Sequence, residues 1–169
     1  MKRTLTLIRH AKSSHDDPTL RDFSRPLNPR GQADAPRIGH HLAHHLLWSP
    51  DLILCSTATR TLHTARLLTQ GMGDPHHFIQ HEPRIYEATV PTLLEIIQET
   101  PDSLPHLALI GHNPGLEHLA NWLLGTHPLP SLVTCAVLIL QLHTPTWSPL
   151  TPGCAQLQHH LEPRSLPSE

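Results

Sequence analysis

Leu5-Thr6-Leu7-Ile8-Arg9-His10-Ala11-Lys12 is the stretch that decides the fold. Leu5, Leu7 and Ile8 form a short apolar run of β character that stops at Arg9 and His10. A chain that opens directly into a strand is common in α/β domains, where that strand is central. In parallel α/β sheets, ligands bind beyond the carboxyl ends of the strands. Adjacent strand residues point to opposite faces, so Arg9 and His10 can reach one ligand only because the strand is ending there.

Working outward, Ser13 to Pro29 is polar and carries the turn signals Asp17-Pro18 and Asn28-Pro29, which predicts a long loop. Ala33, Ile38, Leu42, Leu46 and Leu47 keep helical spacing over residues 30–48, with Pro36 expected to mark an early turn or kink. Asp51 to Cys55 reads as a buried strand. Ser56 and Thr57 offer N-cap chemistry for a helix over 58–69, closed by Gly71 to Pro75. Further strands are expected at Phe78 to His81, His106 to Ile110, Val133 to Leu142 and Gln156 to His160. Helices are expected at Thr92 to Gln98 and Leu116 to Leu124. Alternation of strands and helices predicts an α/β fold: a single-domain three-layer sandwich over residues 1–169, with a mostly parallel central sheet and helices on both faces.

The chain has 169 residues, enough for one compact domain. The formal net charge is -2, so no basic balance suggests nucleic acid as a partner. Met1 to Ile8 begins like a signal peptide but meets Arg9 and His10 too early for an apolar core region. The longest apolar run, Leu132 to Leu142, falls far short of the ~20 residues a bilayer span needs, so no membrane partner is expected. Cys55, Cys135 and Cys154 form no CxxC pair, which argues for free thiols in a reducing compartment. The expectation is a cytoplasmic protein. A disulfide scaffold, a cysteine-based zinc module and a disordered chain are all disfavoured.

Polar residues follow three strand ends: Arg9 and His10 after the first, Arg60 after the second, and His112 after the fourth. Two guanidiniums and two imidazoles gathered from separate segments describe an anion site, with phosphate as the natural occupant. The start of the Arg60 helix adds free N–H groups and a positive dipole end. No single member is specific. In so histidine-rich a chain an Arg-His dipeptide arises by chance, and Arg60 alone would be an ordinary surface arginine. Their joint placement at strand ends carries the inference.

Three segments also carry a family resemblance: Leu7-Ile8-Arg9-His10-Ala11-Lys12-Ser13, Cys55-Ser56-Thr57-Ala58-Thr59-Arg60-Thr61 and Leu109-Ile110-Gly111-His112-Asn113-Pro114-Gly115. Together with Asp22-Phe23-Ser24-Arg25-Pro26-Leu27-Asn28-Pro29-Arg30-Gly31, they resemble the histidine phosphatase (phosphoglycerate mutase-like) superfamily, in particular its SixA-type phosphohistidine phosphatase branch. The resemblance implies a phosphoglycerate mutase-like fold and a phosphatase with no cofactor and no metal. It makes His10 the nucleophile that is transiently phosphorylated. Arg9, Arg60 and His112 become the phosphate pocket, with Arg25 a further pocket arginine. Glu87 falls where the wider superfamily has its proton donor, and reads equally well as a solvated glutamate ahead of a helix. Asp16, Asp17 and Asp22 are lesser candidates for that role, or partners for Arg25. The implied partner is a phosphorylated protein, through phosphohistidine, or a small phosphate ester. No large insertion separates Arg60 from Glu87, so an open, unlidded pocket is expected.

Rival readings are weaker. Cys55 and Arg60 suggest a cysteine phosphatase loop, but the spacing is Cys-x4-Arg instead of Cys-x5-Arg, without the glycines that let amides wrap a phosphate. His40, His41, His44 and His45 place two pairs at i, i+4, a geometry that can hold zinc, yet no HExxH motif is present. A phosphate-binding module without turnover would use the same pocket.

Overall fold

The computed structural model describes residues 2–125 and 131–167. Six strands form one sheet: β1 (Arg3–Arg9), β2 (Leu52–Cys55), β3 (Ile79–His81), β4 (His106–Gly111), β5 (Val137–Leu142) and β6 (Ala155–Leu161). Their order is β3-β2-β4-β1-β5-β6. The first four in that order are mutually parallel, whereas β5 runs antiparallel to its neighbours β1 and β6. The mostly parallel sheet is therefore as expected, with its antiparallel part confined to one side.

Side-chain alternation divides the core between the two faces. Leu5, Leu7, Leu54, Leu107 and Leu109 pack toward α3 (Val90–Gln98) and α4 (Gly115–Leu124). Ile8, Ile53, Cys55, Ala108 and Ile110 pack toward α1 (Pro29–His45) and α2 (Thr59–Gly71). The result is a single-domain three-layer α/β sandwich.

α1 starts where its caps dictate. Asn28 accepts a hydrogen bond from the Gly31 N–H at 2.8 Å, and Pro29 occupies the first turn, where its missing N–H costs nothing. Ala35, Ile38 and Leu42 then face the core. Pro36 lies inside α1, as its place in the helical pattern predicts. Two local expectations are corrected. α1 stops at His45, because the Trp48 N–H turns back to the Leu42 carbonyl at 2.9 Å. Leu47 is consequently 83% exposed instead of buried. The cap of α2 is Ala58, with no side-chain cap bond, and neither Ser56 nor Thr57 takes that role.

A third correction shapes the site. β5 begins at Val137 and not at Val133, because Val133 to Ala136 form a turn. The Ala136 N–H bonds the Val133 carbonyl at 3.0 Å, and Cys135 takes a left-handed φ of 62°. The turn docks on the end of β1. Cys135 N–H donates to the His10 carbonyl at 2.9 Å, and Arg9 N–H donates to the Ala136 carbonyl at 3.1 Å.

α1 and α2 pack almost backbone to backbone. A Cβ at Gly39 would lie 2.0 Å from the Leu68 carbonyl oxygen, so the helices must separate to admit one. Gly39→Ala should therefore destabilise the fold by about 1–3 kcal/mol, read as a lowered urea midpoint with unchanged m-value. An unaltered midpoint would show that the helix pair can spread without cost.

Candidate active site

Three parallel strands end level with one another, and the residues just past them form the site. Arg9 pairs with Gly111 and Cys55 with Ile110. The main-chain bonds continue one step further, His10 N–H to Gly111 O and Ser56 N–H to Ile110 O, each at 3.1 Å. His10, Ser56 and His112 thus emerge side by side. The rings of His10 and His112 have centroids 5.4 Å apart and are tilted by 51°. Both are nearly buried, at 7% and 9% exposure.

The tautomer of His10 follows from its partner. Nδ1 lies 2.7 Å from the Ala11 carbonyl oxygen. A carbonyl only accepts, so Nδ1 carries the proton, and the lone pair of the neutral ring is on Nε2. His112 pairs through Nε2 with the Ser56 hydroxyl at 2.7 Å. Its Nδ1 is buried without a hydrogen-bond partner among the described residues. The Tyr86 ring meets His112 edge-on at 5.3 Å.

Arg60 sits in the first turn of α2 and is also nearly buried. Its guanidinium is held by Asp22 alone among described residues: NH1 donates to the Asp22 carbonyl at 2.7 Å and NH2 to Asp22 Oδ2 at 3.0 Å. Arg9 NH1 donates to the Leu132 carbonyl at 2.7 Å. That carbonyl also accepts from the Asn113 amide at 2.9 Å, while the Leu132 N–H is fixed by Glu117 Oε1. Arg25 pairs with Asp22 Oδ1 and meets His15 Nδ1 at 2.7 Å, so both of these partners lie on the loop that carries it. Asp16 and Asp17 stay on that loop as well, in local turn contacts with Ser14 and Thr19.

A cleft of about 540 Å³ opens beside these groups. Asp22, Arg60, Tyr86, Glu87 and His112 give it a polar side, and Ala88, Val90 and Pro114 an apolar one. Gly115 makes its wall possible, since a Cβ there would lie 2.6 Å from the Ala88 carbonyl oxygen. Glu87 is exposed at the rim in a left-handed conformation, φ 56°, which non-glycine residues seldom adopt outside constrained sites.

Charge and burial set the protonation states. Burial pushes His10 down to about 4, and the fields of Arg60 and Arg9 add to it. Burial likewise pushes His112 down to about 3, with Arg60 and His10 acting in the same direction. Both rings are neutral at pH 7. Arg9 is also lowered, by burial and by Arg60. The Tyr86 hydroxyl, donated at 2.7 Å, contributes most to holding the Asp22 carboxyl well below its usual range, with Arg25 and Arg60 assisting. Asp22 in turn pushes Tyr86 up to about 12.

The structure therefore brings Arg9, His10, Arg60 and His112 together, with Glu87 on the same cleft and Arg25 one residue removed, behind Asp22. Sequence reading missed Tyr86, Ser56 and Glu117. Ser56 follows β2 as His10 follows β1, and that parallel was the available signal. Cys55 is fully buried, and burial lifts its thiol to about 12, as for an inert strand residue. The α1 histidines pair as His40–His44 at 4.3 Å and His41–His45 at 4.7 Å. No group of three or more His, Cys, Asp or Glu among the described residues is arranged to hold a metal ion. No helix among them is long and apolar enough to cross a membrane.

Residues 5–109 match the family model of the histidine phosphatase superfamily (branch 1). An uncharacterized chloroplastic protein of Arabidopsis thaliana is 38% identical over 159 residues, spanning 87% of this chain and 70% of the relative. An uncharacterized protein of Mycobacterium tuberculosis (strain H37Rv) is 32% identical over 166 residues, spanning 93% of this chain and 100% of the relative. Among solved structures, a candidate phosphohistidine phosphatase SixA of Agrobacterium tumefaciens superposes with a TM-score of 0.80 at 27% identity, covering 95% of this chain and 97% of that one. A protein histidine phosphatase SixA complexed with tungstate superposes with a TM-score of 0.80 at 20% identity over the same shares.

The buried imidazoles have a consequence for stability. His10 and His106 are held at about 4 and His112 at about 3, against an ordinary value of 6.5. As pH falls below that ordinary value the unfolded chain takes up protons that the folded one refuses, so stability is lost progressively from 6.5 down toward 4. The urea midpoint should be lower at about pH 5 than at about pH 7. Equal midpoints would mean that these rings titrate normally in the folded protein.

Proposed function

The chain belongs to the histidine phosphatase superfamily (branch 1), and on that premise we propose that it is a metal-independent phosphatase that works through a phosphohistidine on His10 and acts on phosphohistidine carried by protein. The observation that carries the reading is the Nδ1–H of His10 donating to the Ala11 carbonyl, which fixes the ring and leaves the Nε2 lone pair as the nucleophile. Nε2 attacks phosphorus, and the bond to the leaving group breaks with its electron pair going to that group. Water then attacks the phosphohistidine, the P–Nε2 bond breaks, and the lone pair returns to Nε2.

Such a transfer needs positioning and charge stabilisation more than covalent help. Arg9 and Arg60 supply fixed positive charge around His10. His112 is kept neutral chiefly by burial and then by Arg60, and a phosphoryl dianion beside it would favour its protonated form by opposing the arginine fields. A protein histidine phosphatase of the same fold is complexed with tungstate, an oxyanion, which is in keeping with this reading. Arg25 acts at one remove, through Asp22.

The open cleft and its exposed rim at Glu87, with exposed Phe23 packed on the cleft residue Tyr86, support a bulky, protein-borne phosphate. An imidazole leaving group also demands little from a proton donor. Glu87 favours a second reading, a broad-specificity small-molecule phosphomonoesterase: it lies on the cleft and can protonate an alkoxide and later activate water. A phosphate-binding module without turnover would share the pocket.

A turnover panel of phosphohistidine protein, phosphoserine peptide and sugar phosphates, with and without excess EDTA, separates these readings. The phosphohistidine protein should be turned over most efficiently, and EDTA should change nothing; equal efficiency on a sugar phosphate would favour the second reading. His10→Ala should abolish turnover with the circular dichroism spectrum intact, and residual turnover would remove His10 as the nucleophile. Arg60→Ala should weaken vanadate binding by about 2–3 kcal/mol, on the order of 30- to 150-fold, as loss of a charge-assisted fork requires. Calorimetric affinity unchanged from wild type would take Arg60 out of the pocket.

A further inference from the structure

Asp22 is the acceptor on which the site's donors converge, although it is neither nucleophile nor phosphate ligand. It stands in a short 3-10 turn, Asp22–Ser24, on the loop between β1 and α1. Its main-chain carbonyl and its Oδ2 each take one N–H of Arg60, Tyr86 donates to the same Oδ2, and Arg25 pairs with Oδ1. Three side chains from three segments are thus bound by one residue.

We propose that Asp22 is a positioning residue for turnover: by gripping the Arg60 guanidinium through a main-chain and a side-chain oxygen at once, it presents that group to the phosphoryl oxygens in a single orientation. The proposal rests on the phosphatase reading, since it gives Asp22 a part in that site's work. A guanidinium has five N–H donors in a rigid plane. Asp22 occupies two of them and leaves three for an anion. An arginine side chain also carries considerable rotamer entropy, which here is lost on folding and not at the moment of binding. The main-chain contact matters because a backbone oxygen cannot swing away with a side chain.

Charge points the same way. Arg9, Arg60 and Arg25 would repel one another around the neutral imidazoles, and the Asp22 carboxylate stands among them. Tyr86 completes the arrangement on the same polar side of the cleft. Its hydroxyl holds Asp22, its ring lies edge-on against His112, and Phe23 packs edge-on against it at 5.0 Å. The three donors hold Asp22 ionised, so the residue does not serve as the proton donor that its sequence position left open.

Asp22→Asn is the test, because a carboxamide keeps the shape but turns an NH2 group toward one of three donors. The variant should lower kcat and weaken vanadate affinity, each by about tenfold or more. Its urea midpoint should stay near wild type. The slow rotation of the Arg60 guanidinium, read from its Nη signals in 15N spectra, should be lost. Asp22→Glu keeps the charge but separates the two gripping oxygens, and should fall between wild type and Asn; it also serves if the Asn variant does not fold. Tighter vanadate binding by the Asn variant would overturn the proposal, since Asp22 would then be a competitor for the anion. Wild-type constants in both variants would overturn it too. The vanadate and 15N readings need no turnover, so failure of the phosphatase reading would appear separately, as a wild-type protein without activity.

Discussion

The parallel pairing of β1 with β4, Arg9 opposite Gly111, is the constraint on which the site depends. β2 joins the other edge of β4 with Cys55 opposite Ile110, so three strands end at one level. A shift of one residue in either register would turn every core side chain to the wrong face, and the leucines and isoleucines of β1, β2 and β4 forbid that. Hydrophobic burial on two faces thereby sets the two imidazoles side by side, with ring centroids 5.4 Å apart. The site is positioned by a sheet buried on both sides, and no loop has to fold onto a ligand to bring His10 to His112.

The electrostatics follow from that placement. Strand ends at the edge of a core are poorly solvated, so imidazoles there resist protonation and arginines there need partners. His10 meets the first as a neutral ring with one nitrogen already bonded to Ala11. Arg9 and Arg60 solve the second differently. Arg9 leans on a main-chain carbonyl of the segment at Leu132, which Glu117 and Asn113 hold in place. Arg60 takes both oxygens offered by Asp22. Each arginine is thus anchored by part of its donor set, and the anchor in both cases includes backbone.

Much of this was legible in the sequence, for identifiable reasons. Apolar runs that end in Arg9-His10 and Gly111-His112 are local patterns, and the rule that ligands bind beyond parallel strand ends converts them into a shared site. What was not legible depends on long-range geometry. Nothing local marks Ser56 as the partner of His112, because the contact spans β2 and β4. Val133 to Ala136 reads as strand by propensity, and only the demand of the β1 end for partners at Arg9 and His10 bends it into a turn. Leu46 and Leu47 keep helical spacing yet fall beyond the last turn of α1. Pro36 lies inside α1, and the helix continues through it where α1 packs closely on α2.

On the proposed phosphatase reading, the same geometry bears on which phosphate the site would take. A small phosphate ester gains specificity when a lid closes over it and contacts the leaving group from all sides. Here the cleft is bounded by a rim that includes Glu87, Ala88 and Val90, and the loop nearest the reacting groups is already committed: Asp22 ties it to Arg60 and Tyr86. A loop bound to the phosphate-holding arginine cannot also fold over the leaving group without releasing that arginine. Preorganisation of the phosphoryl end and enclosure of the leaving-group end are therefore in competition in this chain, and the hydrogen bonds are spent on the first. That arrangement suits a leaving group recognised by the body that carries it, which is the condition of a phosphorylated side chain on a protein surface.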